Sequence, residues 1–216
     1  MTERGFASVV LDVDSTLSGV EGIDWLASRR DEGMGAKVAS LTDRAMRGEI
    51  ALSDVYGERL KLVNPSRDDI AALADMYQSR LAPGAAQAVR RLHEAGRRVV
   101  IVSGGIREAI LPLGSALGIA DGEVHAVSVS FTPEGRFDGF DASSPLTTSD
   151  GKRTVVERLA LPRRVVGVGD GSTDLAMKPV VDLFVAFTGF VTRAAVVEGA
   201  DMAVTSLDQI VELALA

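Results

Sequence analysis

The stretch Phe6-Ala-Ser-Val-Val-Leu-Asp-Val-Asp-Ser-Thr-Leu17 constrains the fold more than any other in the chain. Its opening is short, apolar and rich in valine, as a strand buried on both faces should be. A strand of that kind belongs in a parallel sheet covered by helices, and ligands bind at the carboxyl edge of such a sheet. The run delivers Asp12 and Asp14 to that edge, and side-chain alternation along a strand puts both on one face. Two carboxylates placed this close repel each other, and a bound cation is the natural remedy. Alone, the stretch reads sooner as a polar turn after an ordinary strand.

After Leu17 the pattern becomes helical. Ile23, Leu26 and Ala27 recur at helical spacing over 21–32, followed by Val38, Leu41 and Ala45, and then by Leu52, Val55 or Tyr56, and Leu60. Asn64-Pro-Ser66 stops one helix and caps another that runs to about Arg80, with Asp68 and Asp69 in its first turn. Beyond Leu81-Ala-Pro-Gly84 the chain alternates. Strands are expected at 99–102, 124–131 with an antiparallel partner ending near Phe140, 165–168, 183–187 and 202–204. Helices are expected from Ile106, from Lys152, through Ala194, and from Ser206. This predicts an α/β fold, a doubly wound, mostly parallel sheet built from 1–17 and 81–216, with a helical insert at 18–80.

Composition narrows the function classes. No apolar run approaches bilayer length, so the chain is expected to be soluble and without a membrane partner. A net charge of -7 argues against a general nucleic-acid binder, but local cations and a metal can still hold one small anion. With no cysteine, disulfides and thiolate metal sites are excluded. Met1 to Gly5 lead straight into the first strand and leave no room for a secretory signal, so a cytoplasmic location is expected.

Three strands of buried type end in polar or glycine-rich loops: Asp12-Val-Asp14, Ser103-Gly-Gly105 and Gly169-Asp170-Gly171. A parallel sheet brings those ends to one edge. Asp170 then joins Asp12 and Asp14 in a hard oxygen set suited to magnesium. Ser103 and the amides after it, at the start of a helix, offer donors to an anion, and Lys152 offers a compensating charge. Metal, anion cradle, cation and carboxylate nucleophile together describe phosphoryl transfer. Ser-Gly-Gly and Gly-Asp-Gly are also ordinary turns, Lys152 an ordinary solvated lysine, and Asp174 an ordinary helix cap; their joint occurrence in this order favours the site. A calcium loop is excluded, because Leu17 and Ile23 stand where glycine and glutamate are required. His93 and His125 lack partners at metal-ligand spacing and are read as structural. Arg59 lies on the apolar stripe of its helix, facing a cavity or snorkelling.

At these residues the chain resembles the haloacid dehalogenase superfamily of phosphohydrolases, through Asp-Val-Asp-Ser-Thr-Leu, Ser103, Lys152 and Gly-Asp-Gly-Ser-Thr-Asp174. More narrowly it resembles the phosphoserine phosphatase family, through Glu21-Gly-Ile-Asp24, Arg44-Ala-Met46, Glu58-Arg-Leu60, Val102-Ser-Gly-Gly105, Gly139-Phe-Asp141 and Gly171-Ser-Thr-Asp174. The resemblance implies hydrolysis of O-phospho-L-serine, the last step of serine biosynthesis, through an aspartyl-phosphate on Asp12. It implies Mg2+ on Asp12, the Asp14 carbonyl and Asp170, with Asp14 as acid and then base. Ser103, Gly104 and Lys152 are implied to hold phosphoryl oxygens, and Asp174 to orient Lys152 or a metal-bound water. Arg59 is assigned the substrate carboxylate and Glu21 its ammonium, with Met46 and Thr173 lining the amino-acid end. The insert is implied to close over the site as a cap. Arg47 and Leu52 depart from the family, standing where relatives often carry glycine and an aromatic, and they recharge or widen the pocket. The readings beside this one are a phosphotransferase to an alcohol such as homoserine, a phosphatase for another small phosphomonoester, and a non-catalytic phosphate-binding module. As partners, a small phosphomonoester and either a monomer or a homodimer are expected.

Overall fold

All four residues of β1 (Ser8–Leu11) are buried, and no edge or exposed face is compatible with such a strand. The computed structural model describes residues 5–47 and 49–216, apart from the side chains of Glu32 and Met46. After β1 come four helices, α1 (Gly22–Ser28), α2 (Glu32–Met46), α3 (Leu52–Val63) and α4 (Arg67–Ser79). The chain continues through α5 (Ala85–Glu94), β2 (Arg98–Ile106), α6 (Arg107–Ala116), β3 (Val124–Val127), β4 (Val129–Phe131) and β5 (Phe137–Phe140). It ends with α7 (Gly151–Arg158), β6 (Val165–Gly169), α8 (Ser172–Leu175), β7 (Leu183–Phe187), α9 (Ala194–Gly199), β8 (Met202–Val204) and α10 (Leu207–Leu215). Among the described residues no helix is long and apolar enough to cross a membrane.

Six strands form one sheet in the order β3-β2-β1-β6-β7-β8, and every neighbouring pair is parallel. From β1 the chain winds outward through β2 and β3, then returns to place β6 on the other side of β1. The winding reverses between β1 and β6, and in such sheets that reversal opens a crevice at the carboxyl ends. Val99 to Val102 of β2 and Val165 to Val168 of β6 are buried at every position, so helices cover both faces.

Helices α1 to α4 leave and rejoin the sheet at one place. Ser18 pairs with Leu81, Gly19 N–H donates to the Arg80 carbonyl at 2.9 Å, and Ala82 N–H donates to that of Leu17 at 2.8 Å. Ser66 caps α4 as the sequence predicts, Asp69 returns the bond to make the cap reciprocal, and Asn64 takes the left-handed conformation that ends α3.

Two expectations are corrected. Strand β2 runs on through Ser103-Gly-Gly105 to Ile106, so Ser103 does not open a helix. Its pairing with β3 shifts register between Val102 and Ile106, which leaves 103–105 unpaired on that side. The expected strand 124–131 breaks at Ser128, because the Glu108 carboxylate accepts the Val129 N–H at 3.0 Å and diverts the chain out of the main sheet. There β4 pairs antiparallel with β5, and Phe140 packs its ring against Tyr56 of α3.

Helix α7 begins against the turn at Pro145–Thr147. A Cβ on Gly151 would fall 1.9 Å from the Pro145 carbonyl oxygen, so only glycine permits this seat. Gly151→Ala is therefore expected to cost about 1–3 kcal/mol, read as a lower urea midpoint. An unchanged midpoint would show that the turn yields freely.

Candidate active site

Asp12 continues the β1–β6 pairing one residue past the strand, its N–H donating to the Val168 carbonyl at 3.1 Å. Asp170 follows β6 directly, and Asp174, in the first turn of α8, accepts the Gly171 N–H at 3.0 Å. All three are buried, and each offers a carboxylate oxygen within 4.8 Å of the others. Lys152 reaches in from α7 with Nζ 2.6 Å from Asp12 Oδ1 and 2.6 Å from Asp174 Oδ1. Burial alone would make that lysine easier to deprotonate, but Asp12 and Asp174 outweigh it and hold its pKa above the ordinary range. Burial and Asp12 push Asp174 up to about 7, against the pull of Lys152. Burial, with Asp174, Glu21 and Asp12 nearby, raises Asp170 well above the carboxylate range. Negative charge is therefore in excess, and a hard divalent cation on Asp12, Asp170 and Asp174 fits the donor set.

Asp14 is set differently from the sequence expectation. Strand β1 stops at Leu11, and a turn with Ser15 at φ 54° carries the chain on, so strand alternation does not govern Asp14. It lines the same cavity as Asp12, yet its carboxylate is turned toward the insert. Oδ1 accepts the Tyr77 hydroxyl at 2.6 Å and Oδ2 the Gly22 N–H at 3.2 Å. Burial, then Glu21 and Asp12, raise its pKa well above the usual range. The metal-facing group of Asp14 expected from the sequence is its carbonyl, and the compact carboxylate triad has Asp174 instead.

Ser103, Gly104 and Gly105 line the cavity from the end of β2, and Ser103 Oγ accepts the Gly105 N–H at 3.0 Å. The insert supplies the opposite wall through Ile23, Thr42, Leu52, Tyr56 and Arg59. Arg59 is 5% exposed and donates to Asp24 at 3.2 Å, while its Nε has no hydrogen-bond partner among the described residues. A buried guanidinium donor of this kind calls for an acceptor. Glu21 and Thr173 also line the cavity, and Glu21 accepts from Ser15 Oγ at 2.8 Å. The side chain of Met46 lies outside the described residues. Leu52 is in the wall as expected, and Tyr56 one turn later provides an aromatic there. Arg47 instead is exposed and paired with Asp43 and Glu49.

Sequence reasoning missed three side chains. Arg193, in the loop between β7 and α9, donates to Asp170 at 3.1 Å, to Glu21 at 3.3 Å and to Asp43 at 3.5 Å. The rule that gathered three strand ends applies equally to β7, and following its loop would have reached Arg193. Tyr56 and Tyr77 lie on buried helical stripes and read as core. Tyr56 donates its hydroxyl to the Gly104 carbonyl at 2.8 Å. Further ties cross the cavity mouth, from Ser172 Oγ to the Ala45 carbonyl at 3.0 Å and from Leu52 N–H to Ser149 Oγ at 3.1 Å.

Comparisons with known proteins agree with this arrangement. Residues 9–178 match the family of haloacid dehalogenase-like hydrolases. The chain is 36% identical to the phosphoserine phosphatase of Rattus norvegicus over 92% of its own length and 88% of the relative's. It is also 36% identical to a chloroplastic phosphoserine phosphatase of Arabidopsis thaliana, over 96% and 72%. Its fold superposes on a phosphoserine phosphohydrolase-like protein from Francisella tularensis with a TM-score of 0.87 and 24% identity, covering 95% and 98% of the two chains. A substrate-bound phosphoserine phosphatase gives 0.80 and 24%, over 97% and 99%. From the ordered motifs, the sheet and these matches, the chain belongs to the haloacid dehalogenase-like hydrolase family and groups within it with the phosphoserine phosphatases.

Proposed function

We propose that this protein is a magnesium-dependent phosphatase that releases L-serine and phosphate from O-phospho-L-serine. One observation carries the reading: a single cavity is lined both by an acid–lysine cluster at the sheet edge and by a buried arginine and a half-buried glutamate that follow β1 in the chain. The first suits a phosphoryl group and its metal; the second suits the carboxylate and ammonium of an amino acid. The curated relatives bear the same activity in their names.

Asp12 is the nucleophile. Its carboxylate oxygen attacks phosphorus, the bond to the serine oxygen breaks, and Asp14 gives that oxygen a proton. Water then attacks the aspartyl-phosphate and passes its proton to Asp14, which frees phosphate and restores Asp12. Lys152, Ser103 and Gly104 hold the phosphoryl oxygens, and Asp174 fixes the lysine. Asp12, the Asp14 carbonyl and Asp170, with Asp174 beside them, would hold magnesium, which would supply positive charge to offset the negative charge that builds on the phosphoryl group. Arg59 binds the substrate carboxylate and Glu21 its ammonium; Thr173 lines the same cavity, and the family resemblance assigns Met46 to that end as well. Residues 18–80 act as a cap on the core of 1–17 and 81–216. The ties of Tyr56, Ser172, Leu52 and Arg193 across the mouth support a lid that opens for exchange and closes to exclude bulk water.

Phosphate release from phosphoserine is expected with magnesium, absent with chelator, and absent for Asp12→Asn. A wild type inactive on phosphoserine in magnesium would remove the reading. Arg59→Ala is expected to raise KM for phosphoserine about 10–100-fold, the scale of losing charge-assisted hydrogen bonds, while a phosphomonoester without a carboxylate is little affected. Arg59→Lys recovers only part of that loss, because an ammonium cannot make the two-pronged contact. An unchanged KM for phosphoserine in Arg59→Ala, or an equal rise for both substrates, would place the carboxylate elsewhere.

A further inference from the structure

The chain has two tyrosines, and both bury their hydroxyls on groups of the site. Tyr56 donates to the backbone of the anion cradle, and Tyr77 donates to Asp14 itself. We propose that Tyr77 is a positioning residue for the proton transfer: its hydroxyl, with the Gly22 amide, fixes the Asp14 carboxyl in the attitude from which it serves the leaving oxygen. The inference rests on the phosphatase reading above and adds to it a residue that no ordered motif includes.

The geometry is specific. Tyr77 lies in the last turns of α4 and is fully buried. Its hydroxyl meets Asp14 Oδ1 at 2.6 Å, and the Gly22 amide meets Oδ2 at 3.2 Å, so each oxygen of the carboxyl is held from a different element. Two such donors fix both side-chain torsions of an aspartate, which one donor does not. The slot for the hydroxyl needs glycine at 22 and is eased by glycine at 105. A Cβ on Gly22 would fall 2.1 Å from the tyrosine oxygen, and one on Gly105 would fall 3.3 Å from it. Phenylalanine would fill the same ring volume, so packing alone gives no reason for the oxygen.

Tyr77 is tethered at its other end as well. Its carbonyl accepts from Ser18 Oγ at 3.0 Å, in the linker that joins the sheet to the insert. One residue therefore connects α4, the linker and the acid. The tyrosine's hold on Asp14 exists only while α4 is seated, so the acid is set in place by a helix that does not itself line the cavity.

Leaving-group dependence tests this. Serine departs as an alkoxide that needs a proton, whereas p-nitrophenolate leaves without one. For Tyr77→Phe, kcat/KM on phosphoserine is expected to fall about tenfold or more, the scale of one hydrogen bond to a charged group, with KM nearly unchanged. On p-nitrophenyl phosphate, kcat/KM is expected to stay within about twofold. Parallel losses on both substrates, or none on either, would overturn the proposal, because a merely structural role does not distinguish leaving groups. If Tyr77→Phe does not fold, Gly22→Ala displaces the hydroxyl while keeping the tyrosine and must give the same discrimination. Should wild type fail on phosphoserine, the substrate reading falls, and Tyr77 is judged with whichever alkyl phosphomonoester the enzyme cleaves.

Discussion

A lysine ammonium group shut away from water is tolerable only when carboxylates surround it, and carboxylates packed around one lysine leave charge over. Lys152, between Asp12 and Asp174 at the edge of the sheet, is that case. The surplus extends to Asp170, which Arg193 meets only in part. Such a cluster is costly to fold and useful once folded, since it attracts a divalent cation and, through it, a phosphoryl group. The switch in winding between β1 and β6 places Asp12 and Asp170 side by side, and α7 and α8 bring the other two groups over them. The rest of the architecture holds this unfavourable grouping in place.

Much of this was legible in the sequence because strands buried on both faces have a simple signature. Phe6 to Leu11, Val99 to Val102 and Val165 to Val168 announce a parallel sheet, and the polar residues that follow them are then brought to one edge. That reasoning found Asp12, Ser103, Lys152 and Asp170 in a common cavity, with Asp174 held against Lys152. It failed where tertiary contacts overrule local pattern. Nothing in Val102-Ser-Gly-Gly105 says that the strand continues, because the continuation depends on Ile106 pairing with Val127 of β3. Nothing in Val127-Ser-Val129 says that a glutamate twenty-one residues away redirects the backbone.

The insert was legible as helices but not as a contributor of polar groups. A tyrosine on an apolar stripe looks like core, and Tyr56 and Tyr77 are core by burial. Only their hydroxyl partners set them apart. Arg193 was hidden for another reason: five residues separate it from the end of β7, and distance along a loop says little about direction in space. Arg59 could be singled out because a buried arginine breaks its helix pattern, whereas a buried tyrosine does not.

The insert joins the sheet through two segments, at 17–19 and 80–82, that lie side by side and hydrogen-bond to each other. To the strands, some sixty residues occupy no more than the footprint of a hairpin. Strand order, register and the placement of Asp12 thus owe nothing to the insert's length or shape. The part of the molecule that brings Arg59 to the cavity can be lengthened, shortened or exchanged as a cassette, while the part that carries Asp12, Lys152 and Asp170 stays the same.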